Sequence, residues 1–213
     1  MKIAFVGATS TGKTTLAEKF VSTSGWAFPS VQTVDALRAM GLESHSQVKG
    51  LGAEGARRFQ YELMEQRHRL FAEQARDMVT DRSAIDAWVY YCLDGMAGDT
   101  AAGSKEFQER AAHLMDQFDM VMYLPFGAIP HQEDPRRINN PYYHGVTDAI
   151  YRQFLSDHVD EGKLHICAYD NVSIKGRVRW VMNRVDDALN EGLIGESYFS
   201  SGAHARAENL VLA

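Results

Sequence analysis

Five short apolar runs, at residues 2–6, 26–28, 78–80, 120–124 and 164–168, are separated by longer stretches whose apolar positions recur every three or four residues. Short continuous apolar runs suit strands covered on both faces, and the periodic stretches between them suit helices. This alternation predicts an α/β fold, a parallel five-stranded sheet with helices on both faces in a three-layer sandwich. Leu16, Ala17 and Phe20 form the first helical stripe. A short helix is expected over residues 34–40, stopped by Gly41, and a long one over 54–75 with Phe59, Leu63, Leu70 and Phe71 near one face. Further helices are expected over 85–93, over 104–117 and from about 147. A last one carries Val178, Val181, Met182, Val185 and Leu189 as its core stripe. Trp88, Val89, Tyr90 and Tyr91 read as core rather than as a base-stacking platform.

Residues 41–55 and 94–103 read as polar connections, and 125–145 as a polar insertion holding four of the five prolines. From Gly192 the chain turns rich in Gly, Ser and Ala, the composition of a loosely held tail. The expected organisation is one domain over 1–191, with a lid at about 125–146 and a tail over 192–213.

Composition narrows the class. A chain of 213 residues with 45% hydrophobic and 23% charged residues can bury a substantial core, and no apolar stretch is long enough for a membrane span. The chain begins directly on a core strand, so no signal peptide is expected and the location expected is cytoplasmic. A formal charge of −6 argues against a broad footprint on nucleic acid. Cys92 and Cys167 lack metal-ligand spacing and read as reduced core thiols. No repeat of 20–50 residues and no low-complexity tract occurs.

The chemistry starts at the first strand. Gly7-Ala8-Thr9-Ser10-Thr11-Gly12-Lys13-Thr14-Thr15 follows it directly and fits G-x-x-x-x-G-K-[ST], a phosphate-binding P-loop. Two glycines let the backbone wrap inward so that successive N–H groups, from Gly7, Thr9, Ser10, Thr11, Gly12 and Thr15 among others, point at phosphate oxygens. Lys13 is expected on the β- and γ-phosphates. The Thr14 hydroxyl is expected to bind Mg²⁺, and the positive end of the following helix faces the anion.

Asp81-Arg82-Ser83 leaves the strand at 78–80, at the sheet edge where an open parallel sheet binds its ligands. There Asp81 suits Mg²⁺ or a proton from the attacking group, and Arg82 suits a phosphate. The competing reading is an N-cap and a surface ion pair for the next helix. Asp119 precedes its strand and falls on the opposite edge, which removes it as the metal acid. Gln60 either reads a nucleobase edge through paired donor and acceptor or is an ordinary surface glutamine. The insertion brings Glu133, Asp134, Arg136 and Arg137 between a strand and a helix, the composition of a lid whose closure carries an arginine to the γ-phosphate. Arg152 stands beyond it. Residues 169–173, with Asp170 and Asn171, follow the last strand at the side of the adenine.

Together these residues resemble the P-loop nucleoside and nucleotide kinases. The resemblance is closest to the ribosylnicotinamide-kinase-like ATPase group often carried by bacteriophages. The chain is also similar to thymidylate and deoxynucleoside kinases, where a D/E-R-[SY] turn follows the third strand. The resemblance spans roughly residues 1–189. It implies ATP and Mg²⁺ as donor system and a small nucleoside or monophosphate as acceptor. It also implies Lys13 and Thr14 on the triphosphate, Asp81 as metal ligand or base, Arg82 on the acceptor, and the lid arginines Arg136 and Arg137 stabilising transfer. From the residues themselves, Arg38, Gln60 and Arg152 are further candidate acceptor contacts. Such kinases commonly carry an acid just after the second strand. Here that stretch reads Ser30-Val31-Gln32 and the first acid is Asp35, which leaves the general base open between Asp35 and Asp81.

The reading is an ATP-dependent small-molecule kinase. Its alternatives are a regulatory P-loop ATPase, whose hydrolysis a protein partner would stimulate, and a kinase acting on a modified base in DNA, which the negative charge disfavours. No N-K-x-D tetrapeptide occurs, against a GTPase, and no L-S-G-G-Q, against a transporter ATPase. The oligomeric state is left open, a homodimer being compatible with all of it.

Overall fold

The computed structural model describes residues 1–31, 33–130 and 140–190, and in these strand and helix alternate from the first strand onward. Strands β1 (Lys2–Val6), β2 (Met78–Thr80), β3 (Met120–Tyr123) and β4 (Leu164–Ile166) form one sheet in the order β2-β1-β3-β4. All pairings are parallel, with Ala4 opposite Thr80, Val6 opposite Tyr123 and Tyr123 opposite Ile166. The chain moves outward from β1 to β2 and then crosses to the other side of β1 to make β3. Crevices in open sheets lie at the carboxyl edge of such a reversal.

The expected fifth strand at residues 26–28 is reduced to one bridge, Ala27 opposite Met78. Ala27 donates to Asp77 O at 2.9 Å and receives Val79 N–H at 3.0 Å. Gly25, in the left-handed conformation at φ 74°, still belongs to the preceding helix end, and Pro29 has no N–H to continue a ladder. One residue remains to pair, so the sheet has four strands.

Nine helical segments occupy the described residues between and after the strands: α1 (Lys13–Ser24), α2 (Thr33–Ala39), α3 (His45–Gly50), α4 (Gly52–Ala72), α5 (Ala84–Asp94), a 3-10 turn at Met96–Gly98, α6 (Ala101–Met115), α7 (Pro141–His158) and α8 (Ile174–Asn190). Alternate residues of β1 divide between two cores, as the pleat requires. Ala4 and Val6, with Val121 and Tyr123, pack against Phe71 of α4, Ile85 and Trp88 of α5, Phe107 of α6 and Tyr151 of α7. Ile3 and Phe5, with Met120 and Met122, pack against Leu16 and Phe20 of α1 and Val181 and Val185 of α8. These are the three layers. A third cluster, Ala36, Leu37, Val48, Phe59 and Leu63, joins α2 and α3 to α4.

Two connections differ from expectation. The polar stretch after Gly41 contains helix α3, whose Val48 is buried against α4. Helix α7 begins at Pro141 rather than near Thr147 because Asn140 caps it, its side chain accepting from Tyr142 N–H at 3.0 Å, and Pro141 occupies the first turn, where its missing N–H costs nothing. Four prolines in one insertion read as loop, but the last of them starts a helix. Glu133, Asp134, Arg136 and Arg137, Gln32 and the tail over 192–213 lie outside the described residues. Among the described residues no helix is long and apolar enough to cross a membrane.

Candidate active site

Residues 7–12 turn from β1 into α1 through three left-handed or near-left-handed positions, Gly7 at φ 139°, Ser10 at 67° and Gly12 at 84°. A Cβ on Gly7 would stand 2.3 Å from Leu124 O, so the turn closes against the end of β3 only with glycine there. Thr11 is buried, its hydroxyl donating to Ala8 O at 2.9 Å. Lys13 is also buried and curls back, its Nζ donating to Gly7 O at 2.6 Å and Ala8 O at 2.7 Å. Thr9 shares a hydrogen bond of 3.3 Å with the Tyr90 hydroxyl on α5. Within the aromatic run, Trp88 and Tyr91 are core and Tyr90 reaches the loop.

Neighbouring strands deliver the second half of the site. β2 lies beside β1, so the turn after Thr80 opens next to the first turn of α1. There the Thr14 hydroxyl donates to the buried Asp81 carboxylate. This pair offers two hard oxygen donors at one point, as Mg²⁺ prefers when it is shared with substrate phosphates. No group of three or more His, Cys, Asp or Glu side chains able to hold a metal occurs among the described residues. Thr15 is exposed on α1. Asp119 accepts Lys2 N–H at 2.6 Å at the opposite sheet edge.

The helix cap expected of the Asp81-Arg82-Ser83 turn is present, and the ion pair beside it is with a buried acid rather than a surface one. Ser83 starts α5 in a capping box with Asp86, whose carboxylate accepts Ser83 N–H at 2.8 Å and the Ser83 hydroxyl at 3.3 Å. The other Asp86 oxygen takes the Tyr151 hydroxyl of α7 at 2.8 Å and Arg82 Nη1 at 3.4 Å. Burial opposes the charge on Asp86, but Arg82, Arg67, Lys13 and the Ser83 N–H together hold its carboxyl below the ordinary value. Desolvation works against Arg82 too, and Asp86, with Tyr90, Tyr151 and Asp81, carries its guanidinium above the ordinary range. Burial pushes the Tyr151 phenol well up, and the Asp86 charge adds to it.

Helix α4 supplies the wall. Gln60 and Arg67 are buried, two helical turns apart on one face. Arg67 Nη1 donates to Ser83 O at a long 3.4 Å, and its Nε is buried without a partner. Desolvation lowers the Arg67 guanidinium from its ordinary value while Asp86 raises it. Gln60 is therefore not the surface residue its neighbours in sequence suggest.

The remaining candidates are dispersed. Asp35 and Arg38 are both exposed on α2 and pair with each other at 3.6 Å. Arg152 is exposed and meets Asp148 at 3.3 Å, while buried Asp148 also accepts the Tyr123 hydroxyl at 2.8 Å and Phe126 N–H at 3.1 Å. Residues 169–173 follow β4 at the carboxyl edge, with Asp170 exposed and Asn171 O accepting Arg177 Nε at 2.7 Å. Burial raises both thiols, Cys92 to about 12, which leaves them without the thiolate that chemistry would need.

Four polar residues of this region escape a reading by motif: Arg67, Asp86, Tyr151 and Arg177. Two had a signal. Arg67 repeats the face of Gln60 after seven residues, and Asp86 has capping-box spacing from Ser83. Tyr151 and Arg177 sit inside apolar helical stripes and look like core and surface until the elements are docked.

Known proteins extend this geometry. A family model described as an AAA domain matches residues 2–172. No curated protein matches the sequence. Among solved structures, the chain is similar to a deoxyadenosine kinase from M. mycoides with the products dCMP and dCDP bound. The TM-score is 0.63 at 15% identity, over 88% of this chain and 99% of that one. It is similar to the NadR protein in complex with NR, with a TM-score of 0.59 at 16% identity over 87% of this chain and 50% of NadR, so it spans half of that protein. A third similarity is to the YorR protein of Bacillus subtilis in complex with phosphorylated GDP, with a TM-score of 0.54 at 13% identity over 87% and 96%. The P-loop kinase fold is thus shared along nearly the whole described chain.

Proposed function

The chain belongs to the AAA domain family, and we propose that within it this protein is a P-loop kinase transferring the γ-phosphoryl group of ATP to a nucleoside or nucleoside monophosphate. The observation that carries the proposal is the contact between Thr14 and Asp81, which joins the phosphate-binding loop to the turn bearing Arg82. Phosphoryl transfer asks a protein mainly to align donor and acceptor and to neutralise spreading charge.

The loop backbone and Lys13 hold the triphosphate, Lys13 exchanging the carbonyls of Gly7 and Ala8 for phosphate oxygens. Thr14 and Asp81 would hold Mg²⁺, which when bound would neutralise charge on the phosphates. The Asp81 carboxylate would also take the proton of an attacking hydroxyl. Arg82, held by Asp86, binds the acceptor end, and Gln60 with Arg67 lines its base. Arg136 and Arg137 are proposed to reach the transferring group from the lid, with Arg152 behind them. Asp170 and Asn171 flank the donor base. Support for a nucleoside acceptor comes from buried donors on α4 and from the nucleotide ligands of the similar structures.

The test is a panel in which the purified chain, Mg²⁺ and ATP are offered deoxynucleosides, ribonucleosides, their monophosphates and nicotinamide riboside, with ADP and phosphorylated product both followed. Product from one acceptor class is expected. ADP without a phosphorylated acceptor would replace this reading with a regulatory ATPase. Turnover only on added DNA would assign the acceptor to a base in a polymer.

A further inference from the structure

Arg177 lies in the first turn of α8 and is only 2% exposed. Its guanidinium spans two segments that no other described hydrogen bond joins. Nη1 donates to Thr11 O of the P-loop at 2.7 Å and Nε to Asn171 O of the loop after β4 at 2.7 Å, while Nη2 is buried without a partner. The contact with the P-loop is close: a Cβ on Gly12 would stand 3.4 Å from Nη1. Among the described residues no carboxylate pairs with Arg177. A buried cation ordinarily requires a compensating charge or hydrogen-bond acceptors, because it gives up its hydration. Here a charge with no carboxylate partner among the described residues stands directly behind the loop expected to take an anion.

We propose that Arg177 is a positioning residue for the donor nucleotide, tying the base loop at 169–173 to the P-loop through Asn171 O and Thr11 O and placing one positive charge behind the triphosphate. This rests on the reading of the P-loop as the ATP site. A nucleotide touches the two loops at opposite ends, so its base and phosphates reinforce each other only where the loops keep a set spacing. One planar guanidinium sets that spacing, its Nε and Nη1 donating along two fixed directions. A lysine keeps the charge but delivers it from a single nitrogen on a flexible stem and cannot hold both carbonyls in that geometry.

The charge and the tie separate by ligand. Tripolyphosphate engages the P-loop alone, whereas ATP engages both loops. In calorimetric titrations of the full chain with Mg²⁺, Arg177→Lys is expected to bind tripolyphosphate within about twofold of the parent and ATP about tenfold more weakly, the scale of one charge-assisted hydrogen bond. Arg177→Met is expected to weaken both ligands. A purely structural arginine would leave the ratio of ATP to tripolyphosphate affinity unchanged in Arg177→Lys, and an unchanged ratio overturns the proposal.

A measurement on the parent chain keeps the test independent of whether the variants fold. Tripolyphosphate alone should slow hydrogen exchange at the Asn171 and Val172 amides as well as in the P-loop, because coupling runs in both directions. Protection confined to the P-loop would overturn the tie. If the parent binds neither ligand, the ATP reading itself fails and the inference falls with it. If the parent binds ATP but the ratio and the exchange pattern ignore Arg177, only the inference fails.

Discussion

The Tyr151 hydroxyl on α7 donates to one Asp86 oxygen on α5 at 2.8 Å, the same oxygen that Arg82 approaches at 3.4 Å from the turn before α5. A helix that follows the insertion thereby reaches the charge that steadies Arg82. Tyr151→Phe deletes this donor and leaves a buried carboxylate one hydrogen bond short, a loss of about 1–3 kcal/mol in urea unfolding at neutral pH. The sign of its pH dependence follows from Asp86. Its carboxyl sits below the ordinary 3.8 in the folded chain, so its stabilisation is present above 3.8 and fades as the pH falls through the lower folded value. The gap between parent and Tyr151→Phe should therefore narrow in acid below 3.8. A gap that widens there would contradict the assigned charge of Asp86.

Features that depend on neighbours in sequence were legible in it. The P-loop, four of the five expected strands and the edge on which Asp81 and Asp119 fall all follow from spacing and from parallel connection. Features that depend on docking were not. Asp86 has the spacing of the third residue of a helix cap and is one, yet it also collects Arg82 and Tyr151, the latter from a helix that only tertiary packing brings near. Gln60 sits among charged neighbours on a long helix, and its burial appears only once α4 is packed within the fold. The missing strand at residues 26–28 is a local effect that Gly25 and Pro29 advertise, masked by the apolar Trp26 and Phe28 between them.

Lys13→Ala removes the ammonium that bridges the Gly7 and Ala8 carbonyls. Turnover is expected to fall by roughly 10²–10³-fold or more, as when one preorganised charge is taken from a transition state. The fold should survive, because α1 keeps Leu16, Ala17 and Phe20 in the core. Circular dichroism beside the kinase assay checks both halves, and full turnover would remove the P-loop lysine from the mechanism.

Arg82→Ala is expected to separate donor from acceptor. Its guanidinium is held by Asp86 and its proposed role is on the acceptor, so acceptor KM should rise about tenfold or more while ATP affinity changes little. Steady-state kinetics with each substrate varied in turn gives the split. A variant whose ATP affinity falls and whose acceptor KM is unchanged would place Arg82 on the donor side.

Asp35 and Asp81 were the two acids open as general base, and their surroundings separate them. Asp81 is buried beside Thr14, whereas Asp35 is exposed and its ion pair is with Arg38 one turn along α2. An exposed pair of this kind contributes little and lies in water. Asp81→Asn should lower kcat by roughly 10²–10⁴-fold, the range for a positioned acid or base, and should raise the Mg²⁺ concentration needed for half-maximal rate because the pair with Thr14 loses its charge. Asp35→Asn should leave kcat within about twofold, the surface-substitution outcome. A Mg²⁺ titration of both variants decides between metal and base roles for Asp81: a rate restored by high Mg²⁺ assigns it to the metal, and a rate that stays low at saturation assigns it to the proton. A large loss in Asp35→Asn with Asp81→Asn unaffected would transfer the role to α2 and require that helix to move onto the P-loop during turnover.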